Sequence, residues 1–224
     1  DRRRPQQGWQ LTQEVARHLA LWMSYEDTVR VAELKARKSR FERVQRAMKP
    51  EGKTLVMINE YFHPRVEELA DTLPAWLGRA VLGTPWLKSL LGRFMREGRV
   101  VRSSTLRGFL LLYVISSLKP LRPGSLRFAR ETQAMAAWLA SVLSLAQRDY
   151  ALACEVARCQ TLIKGYGDTH ERGSRNFASI MALLPKLQGG QAAAQVSQLR
   201  KAALADDSGQ ALALELSALQ AARA

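Results

Sequence analysis

A mainly α-helical fold, an irregular multi-helix bundle with at most a small two-stranded β ribbon, is predicted by three observations. Apolar residues recur at helical spacing through most of the 224 residues. The last third is rich in Ala and Leu, both strong helix formers. β-branched and aromatic residues gather in only two short segments, about 53–62 and 99–105, which suit a single strand pair. With 47 % apolar residues the chain can fill a core. One helical domain over 1–224 is expected, a piece of a longer chain because it begins Asp1-Arg2-Arg3-Arg4-Pro5, with subdomains at 1–119 and 124–224.

The elements follow in order. Leu11, Val15, Leu19 and Trp22 mark a first helix, and Ser24-Tyr25-Glu26-Asp27 offers a capping box that restarts it. Val29, Leu34, Phe41, Val44 and Met48 form a stripe between Lys35, Arg37, Lys38, Arg40, Arg43 and Arg46. This basic amphipathic helix either packs on the core with its Arg stems along the surface or lies on an acidic partner. A strand over Lys53 to Phe62 pairs with Arg99 to Thr105. Pro74, Gly78, Gly83 and Pro85 punctuate the stretch after Glu67 into short helices whose buried face is Trp76, Leu77, Trp86, Leu87, Leu90 and Leu91. The apolar run Phe109 to Leu118 is too short to span a bilayer and is expected as a buried core helix.

Residues 119–124, Lys-Pro-Leu-Arg-Pro-Gly, are the best linker candidate. Ser125 then opens a helical pattern running to Ile163, roughly 60 Å if unbroken, with a break expected at 146–149. A glycine-rich turn ends it. Phe177, Ile180, Met181 and Leu184 make the next helix, stopped by Pro185 and Gly189-Gly190, and two Ala- and Leu-rich helices follow, Ala192 to Leu204 and Gln210 to Leu219.

Charge divides the chain unevenly. Residues 1–130 hold 25 Lys and Arg against 12 Asp and Glu, while 131–224 hold 9 against 8. Between Lys88 and Arg130 stand ten basic residues and one acid, Glu97. Arg93, Arg96, Arg99 and Arg102 are the candidate docking surface for something acidic; a solvated face is the other reading. Cys154 and Cys159 fall roughly 140° apart around a helix, which argues against a disulfide or a shared metal and fits a reducing cytoplasm. No metal site and no catalytic residue is assigned.

Two segments stand out as candidate sites. Lys164-Gly165-Tyr166-Gly167-Asp168-Thr169-His170-Glu171-Arg172-Gly173 sets three glycines among charged and aromatic residues. Its glycines, Lys164 and Arg172 suggest a phosphate cradle, but without nucleotide-loop spacing; His170 beside Asp168 suggests a base and its orienting carboxylate, but with no paired nucleophile. The reading with most weight is a helix junction, Gly165 closing one helix and Asp168 or Thr169 capping the next. The second segment, Glu60 to Glu68, brings His63 and Arg65 among carboxylates; a partial metal site is conceivable there, but a strand-to-helix junction explains it more simply. Phe94, Phe109, Tyr113 and Phe128 in the basic half keep a nucleic-acid-binding helical module open as the alternative function.

Three stretches together resemble one family: Tyr25 to Ala32, Glu60 to Glu68, and Leu162 to Gly173. They are similar to the C-terminal region of indolepyruvate ferredoxin oxidoreductase beta subunits, within the 2-oxoacid:ferredoxin oxidoreductases. The resemblance implies an enzyme that oxidatively decarboxylates arylpyruvates to acyl-CoA with thiamine diphosphate, Mg, iron-sulfur clusters and CoA, passing electrons to ferredoxin. Two cysteines cannot ligate even one four-cysteine cluster, so those cofactors belong elsewhere and none is expected on this segment. What the resemblance implies here is an accessory cytoplasmic domain with no membrane role. Its partners would be the remainder of the parent chain, a thiamine-binding partner subunit and ferredoxin. Lys164, Gly165, Tyr166, Gly167, Asp168, Thr169, His170 and Arg172 are then interface candidates, as are His63 and Arg65.

Overall fold

A computed structural model describes residues 1, 8–24, 27–48, 57–62, 65–95, 99–165, 167–187 and 189–221. Among them are twelve α-helices and one two-stranded antiparallel sheet, the mainly helical class that the spacing predicts. The chain folds as two compact units, one made of Asp1–Tyr25 with Gln133–Ala224 and the other of Glu26–Thr132.

The first unit contains α1 (Gln10–Met23), most of α8 (Leu126–Arg148), α9 (Tyr150–Arg158), α10 (Gly167–Leu183), α11 (Ala192–Ala205) and α12 (Gln210–Ala221). The expected break falls between α8 and α9. There Asp149 leaves helical geometry and its carboxylate accepts the Leu152 amide at 2.9 Å, satisfying one of the four amides that a helix start leaves without a partner. α9 is the hub: it packs on α1 and on α11, and six of its nine residues are buried. Trp138 of α8 lies within this core, its indole N–H donating to the Val156 carbonyl at 3.2 Å. Trp22 meets Trp138 edge-on at 5.8 Å and Phe177 at 5.9 Å, the T-shaped arrangement that aromatic quadrupoles favour. Cys154 and Cys159 are buried and free.

The second unit contains α2 (Thr28–Ala36), α3 (Lys38–Met48), β1 (Asn59–Phe62), α4 (Val66–Thr72), α5 (Ala75–Gly83), α6 (Pro85–Met95), β2 (Arg99–Arg102), α7 (Leu106–Ser117) and the start of α8. β1 and β2 pair with Asn59 opposite Arg102 and Phe62 opposite Arg99, within the two segments expected as strands; residues 53–56 lie outside the described ones. Asp27, rather than Ser24, caps α2, its carboxylate accepting the Arg30 amide at 2.7 Å. The linker candidate at 119–124 is a 3-10 helix within this unit.

Three burial expectations are corrected here. The stripe from Val29 to Met48 breaks at Arg37, and α3 buries none of its residues, touching α7 through Phe41 and Phe109 at 6.3 Å. Trp76, Trp86 and Leu90, expected inside, are exposed, because the core of α4 to α6 closes on Val66, Ala70 and Val81 with Leu73, Leu82, Leu87 and Leu91. The apolar helix α7 fully buries only Gly108 and Leu112, packing that side on α2 with Phe109 and Ile115 half-buried, and leaves its other side open.

Candidate functional site

The glycine-rich turn lies in the first unit, between the 3-10 turn Cys159–Leu162 and α10. Gly165 has φ +71° and Gly167 φ +61°, left-handed values that an L side chain adopts only under strain. α10 starts at Gly167, so Asp168 and Thr169 stand inside its first turn instead of capping it, and Asp168 meets the positive helix end. Lys164, Asp168 and Thr169 are exposed and His170 is half-buried; Tyr166 lies outside the described residues. Arg172 reaches Asp207 at 2.8 Å, and Arg175 reaches Glu171 at 2.8 Å. Gly173 is fixed by close approach, since a Cβ there would stand 2.0 Å from the Leu162 carbonyl oxygen. The third glycine of the motif thus lets α10 lie against the end of the preceding turn.

Behind this turn the first unit holds a polar network that the sequence reading missed. His18 Nε2 lies 3.2 Å from Glu14, Arg158 joins Glu14 at 2.8 Å and Glu155 at 2.6 Å, and Arg200 joins Glu155 at 3.0 Å. Burial pushes the His18 imidazole below its ordinary value of 6.5, against the opposing pull of Glu14. Burial works to raise Glu155, but Arg200 and Arg158 hold its carboxyl below the usual range. The local signals were the i,i+4 pair Glu14–His18 and the i,i+3 pair Glu155–Arg158; the links between them join Arg158 to Glu14 across 144 positions and Arg200 to Glu155 across 45.

Tyr150, Cys154, Glu155 and Arg158 also line a cleft of about 460 Å³ with Gln10 and Ser197. Burial raises both thiols, Cys159 to about 12, so neither is a thiolate nucleophile at neutral pH. Each carboxylate of the network is already matched by a guanidinium, which makes it a clamp between α1, α9 and α11. Among the described residues no group of three His, Cys, Asp or Glu side chains is placed to hold a metal.

The junction of the second unit is also turned inward. Glu60 on β1 is buried and takes ion pairs from Lys35 and Arg40, tying the ribbon to α2 and α3. Arg65 directly precedes α4, whose first turn carries Glu67 and Glu68; Glu67 bonds Lys88 at 2.7 Å, and that bond lowers its pKa. His63 falls outside the described residues. Asp27 grips Arg122 with both oxygens, at 2.8 and 2.6 Å. Glu33 gathers Arg37, Arg30 and Lys119, and the first two, Arg37 foremost, hold its carboxyl down at about 2.

Ion pairing sorts the basic run from Lys88 to Arg130. Lys88, Lys119, Arg122, Arg127 and Arg130 face Glu67, Glu33, Asp27, Glu131 and Asp71 respectively. Arg93, Arg102 and Arg107 are exposed and pair with no acid among the described residues; Arg96 and the Arg99 side chain are not among those described. Arg43 and Arg79 in the same unit are likewise open. Alongside them stand most of the large exposed apolar side chains of the chain, among them Trp76, Trp86, Leu90, Leu106 and Leu110. No helix among the described residues is long and apolar enough to cross a membrane.

Residues 1–183 match a family described only as a family of unknown function (DUF6537). No curated protein and no solved structure matches the chain.

Proposed function

The chain belongs to that family of unknown function, and from this premise we propose that it is an accessory helical module of an indolepyruvate:ferredoxin oxidoreductase-type enzyme, docking an acidic partner rather than carrying the chemistry. The observation that carries the docking role is the coincidence, within Glu26–Thr132, of exposed arginines that pair with no acid among the described residues and exposed apolar side chains. Such a surface gains by meeting a partner that supplies both apolar contact and negative charge. The oxidoreductase assignment itself rests on the three stretches that resemble that family. Asp27 and Glu60, which belong to two of them, hold the second unit together, while Gly165, Gly167 and Gly173 shape the third.

Thiamine diphosphate, Mg, iron-sulfur clusters and CoA are cofactors and substrate of the parent reaction. The residues of this chain do not fit a cluster: it has two cysteines, both buried, with thiols raised by burial. No reaction step is assigned to it. The basic surface receives ferredoxin, the CoA phosphates or the thiamine-binding subunit, and the exposed Lys164, Asp168 and Thr169, with His170, form a second contact at the glycine-rich turn.

The test uses the assembled parent enzyme. Reversing Arg93, Arg102 and Arg107 to Glu is expected to raise the KM for ferredoxin or CoA, more at low than at high salt, with kcat nearly unchanged. KM values unchanged at every salt concentration would overturn the docking role. Failure of this chain to co-purify with a thiamine- and iron-sulfur-containing enzyme would overturn the family assignment.

A further inference from the structure

The outward side of α7 is the most unusual surface in the second unit. Leu106, Leu110, Leu111, Tyr113, Val114 and Leu118 are each between 43 and 74 % exposed. Their spacings, 106–110–113 and 111–114–118, put them on one continuous helical face. The face runs about 18 Å, a little over three turns. The opposite side is already used: Leu112 and Gly108 are buried against the unit, and Phe109 stacks between Phe41 and Tyr113. The face therefore does not arise from a helix that failed to pack.

Charge is confined to one end of it. Arg107 lies on the face in its first turn. Arg102 is exposed at the same end of the helix, its carbonyl accepting from the Thr105 amide at 3.0 Å and from the Thr105 hydroxyl at 2.8 Å. Neither arginine pairs with an acid among the described residues. The helix start, capped by Thr105, adds its own positive end. At the far end Lys119 is taken by Glu33. Between these ends the face carries no charge.

This distribution selects the occupant. No acid occurs between Glu97 and Glu131. Two copies of α7 would bring Arg107 onto Arg107 if parallel, and if antiparallel would bring Arg107 to Lys119 and a Glu33 carboxylate already shared by Arg30, Arg37 and Lys119. A phosphate backbone would want cations along the face, where leucines stand. An interfacial membrane helix carries its cations along both flanks rather than at one tip.

We propose that the α7 face is the docking site for an amphipathic helix of another polypeptide, one with an apolar stripe of about three turns and acidic side chains at the end that meets Arg102 and Arg107. This names the partner's chemistry for the docking role proposed above and rests on that role, but not on the identity of the enzyme.

The experiment places a photo-cross-linking benzophenone side chain at Leu110, at Val114 or, as a control, at the exposed Leu143 of the first unit, in the full chain expressed in its own source cells. Cross-linked peptides are then sequenced. Adducts from 110 and 114, and not from 143, to a helical segment of another polypeptide with acids within two turns support the proposal. The R102E/R107E double change should then lower their yield several-fold while the helix content of the protein stays the same. Adducts to a second copy of this chain, to lipid, to nucleic acid or to a segment lacking acids would overturn it, as would no adduct at all. An acid-bearing helix from a protein that is not an oxidoreductase subunit would leave this face standing and remove the enzyme assignment. An oxidoreductase subunit captured through a segment without acids would do the reverse.

Discussion

The two units are built from similar lengths of chain but bury very different amounts of it. Twenty buried side chains form one cluster in Asp1–Tyr25 with Gln133–Ala224, among them Trp22, Trp138, Ile180 and Leu199. Among the described residues of Glu26–Thr132 seven apolar side chains are buried, Val29, Ala32, Val66, Ala70, Val81, Leu112 and Leu126, and the cluster closed by α4 to α6 holds three of them. The second unit compensates with ion pairs that are partly or largely shielded: Asp27 with Arg122, Glu60 with Lys35 and Arg40, and Glu33 with three cations. Such pairs specify geometry well but add less net stability than the same volume of apolar packing. The unit with less core is also the one with more apolar surface outside. More of its large hydrophobic residues lie at the surface, as the proposed docking role requires, while those of the first unit pack inside its own fold.

The largest effect that would break this contrast is expected in the core of the first unit. Trp138→Ala removes a fully buried indole and its bond to Val156, and should cost about 3–5 kcal/mol. Hydrogen exchange in α9 and α11 should accelerate far more than in α7. Equal acceleration in both would mean that the two units unfold as one.

Asp27→Ala takes away the α2 cap and both of its carboxylate contacts to Arg122, for about 3 kcal/mol. Exchange should then rise first in α2 and α7, and denaturation monitored there should turn less steeply on salt than in the unaltered protein. If α9 loosened first, ionic anchoring of the second unit would be the wrong description.

Acid separates the units by a different route. His18 is held below 6.5 chiefly by burial, so the unfolded chain takes up its proton first. Its contribution is fully present above pH 6.5 and is lost as pH falls from there towards the lowered folded value. Glu155, held below its ordinary range once its two arginines outweigh burial, and Glu33, held at about 2, contribute above the ordinary carboxylate range and lose that contribution only at lower pH. Chemical denaturation between about pH 7 and pH 5 should therefore weaken the first unit progressively, and His18→Gln should flatten the slope. A slope unchanged by His18→Gln would assign the acid sensitivity to another group.

The smallest effect sharpens the contrast most. Leu110→Ser on the open face of α7 should change stability by no more than about 0.5 kcal/mol. A much larger loss in thermal unfolding would show that Leu110 is needed by the unit itself.

Much of the architecture was legible in the sequence because it depends on neighbours. The break at Asp149, the ribbon at 59–62 and 99–102, and the glycine-shaped turn all follow from side chains acting within a few residues. Burial was less legible. Helical spacing says that Trp86 and Leu90 share a face, but not whether that face meets this chain, and the same is true of Leu106, Leu110 and Val114. Charge counting overstated the free cations, since Asp27 reaches Arg122 across 95 positions and Arg158 finds Glu14 across 144. Of the candidate site, the turn geometry could be read from its glycines, while the clamp around His18 could not.

The first unit is assembled from two separated stretches of sequence, with the second unit encoded between them. The Leu11 amide bonds the Tyr150 hydroxyl across 139 positions. On the ribosome α1 emerges long before α9 and must wait while Glu26–Thr132 is translated. Closing so long a loop is costly while it stays unfolded, but a nested segment that has already condensed brings its two ends to a fixed separation and shortens the search. An insert that condenses first is therefore expected to speed closure of the host during synthesis. Slowing translation within 26–132 should matter little to the yield of native protein, whereas damage to that segment's own fold should strand α1 without its partners and favour aggregation.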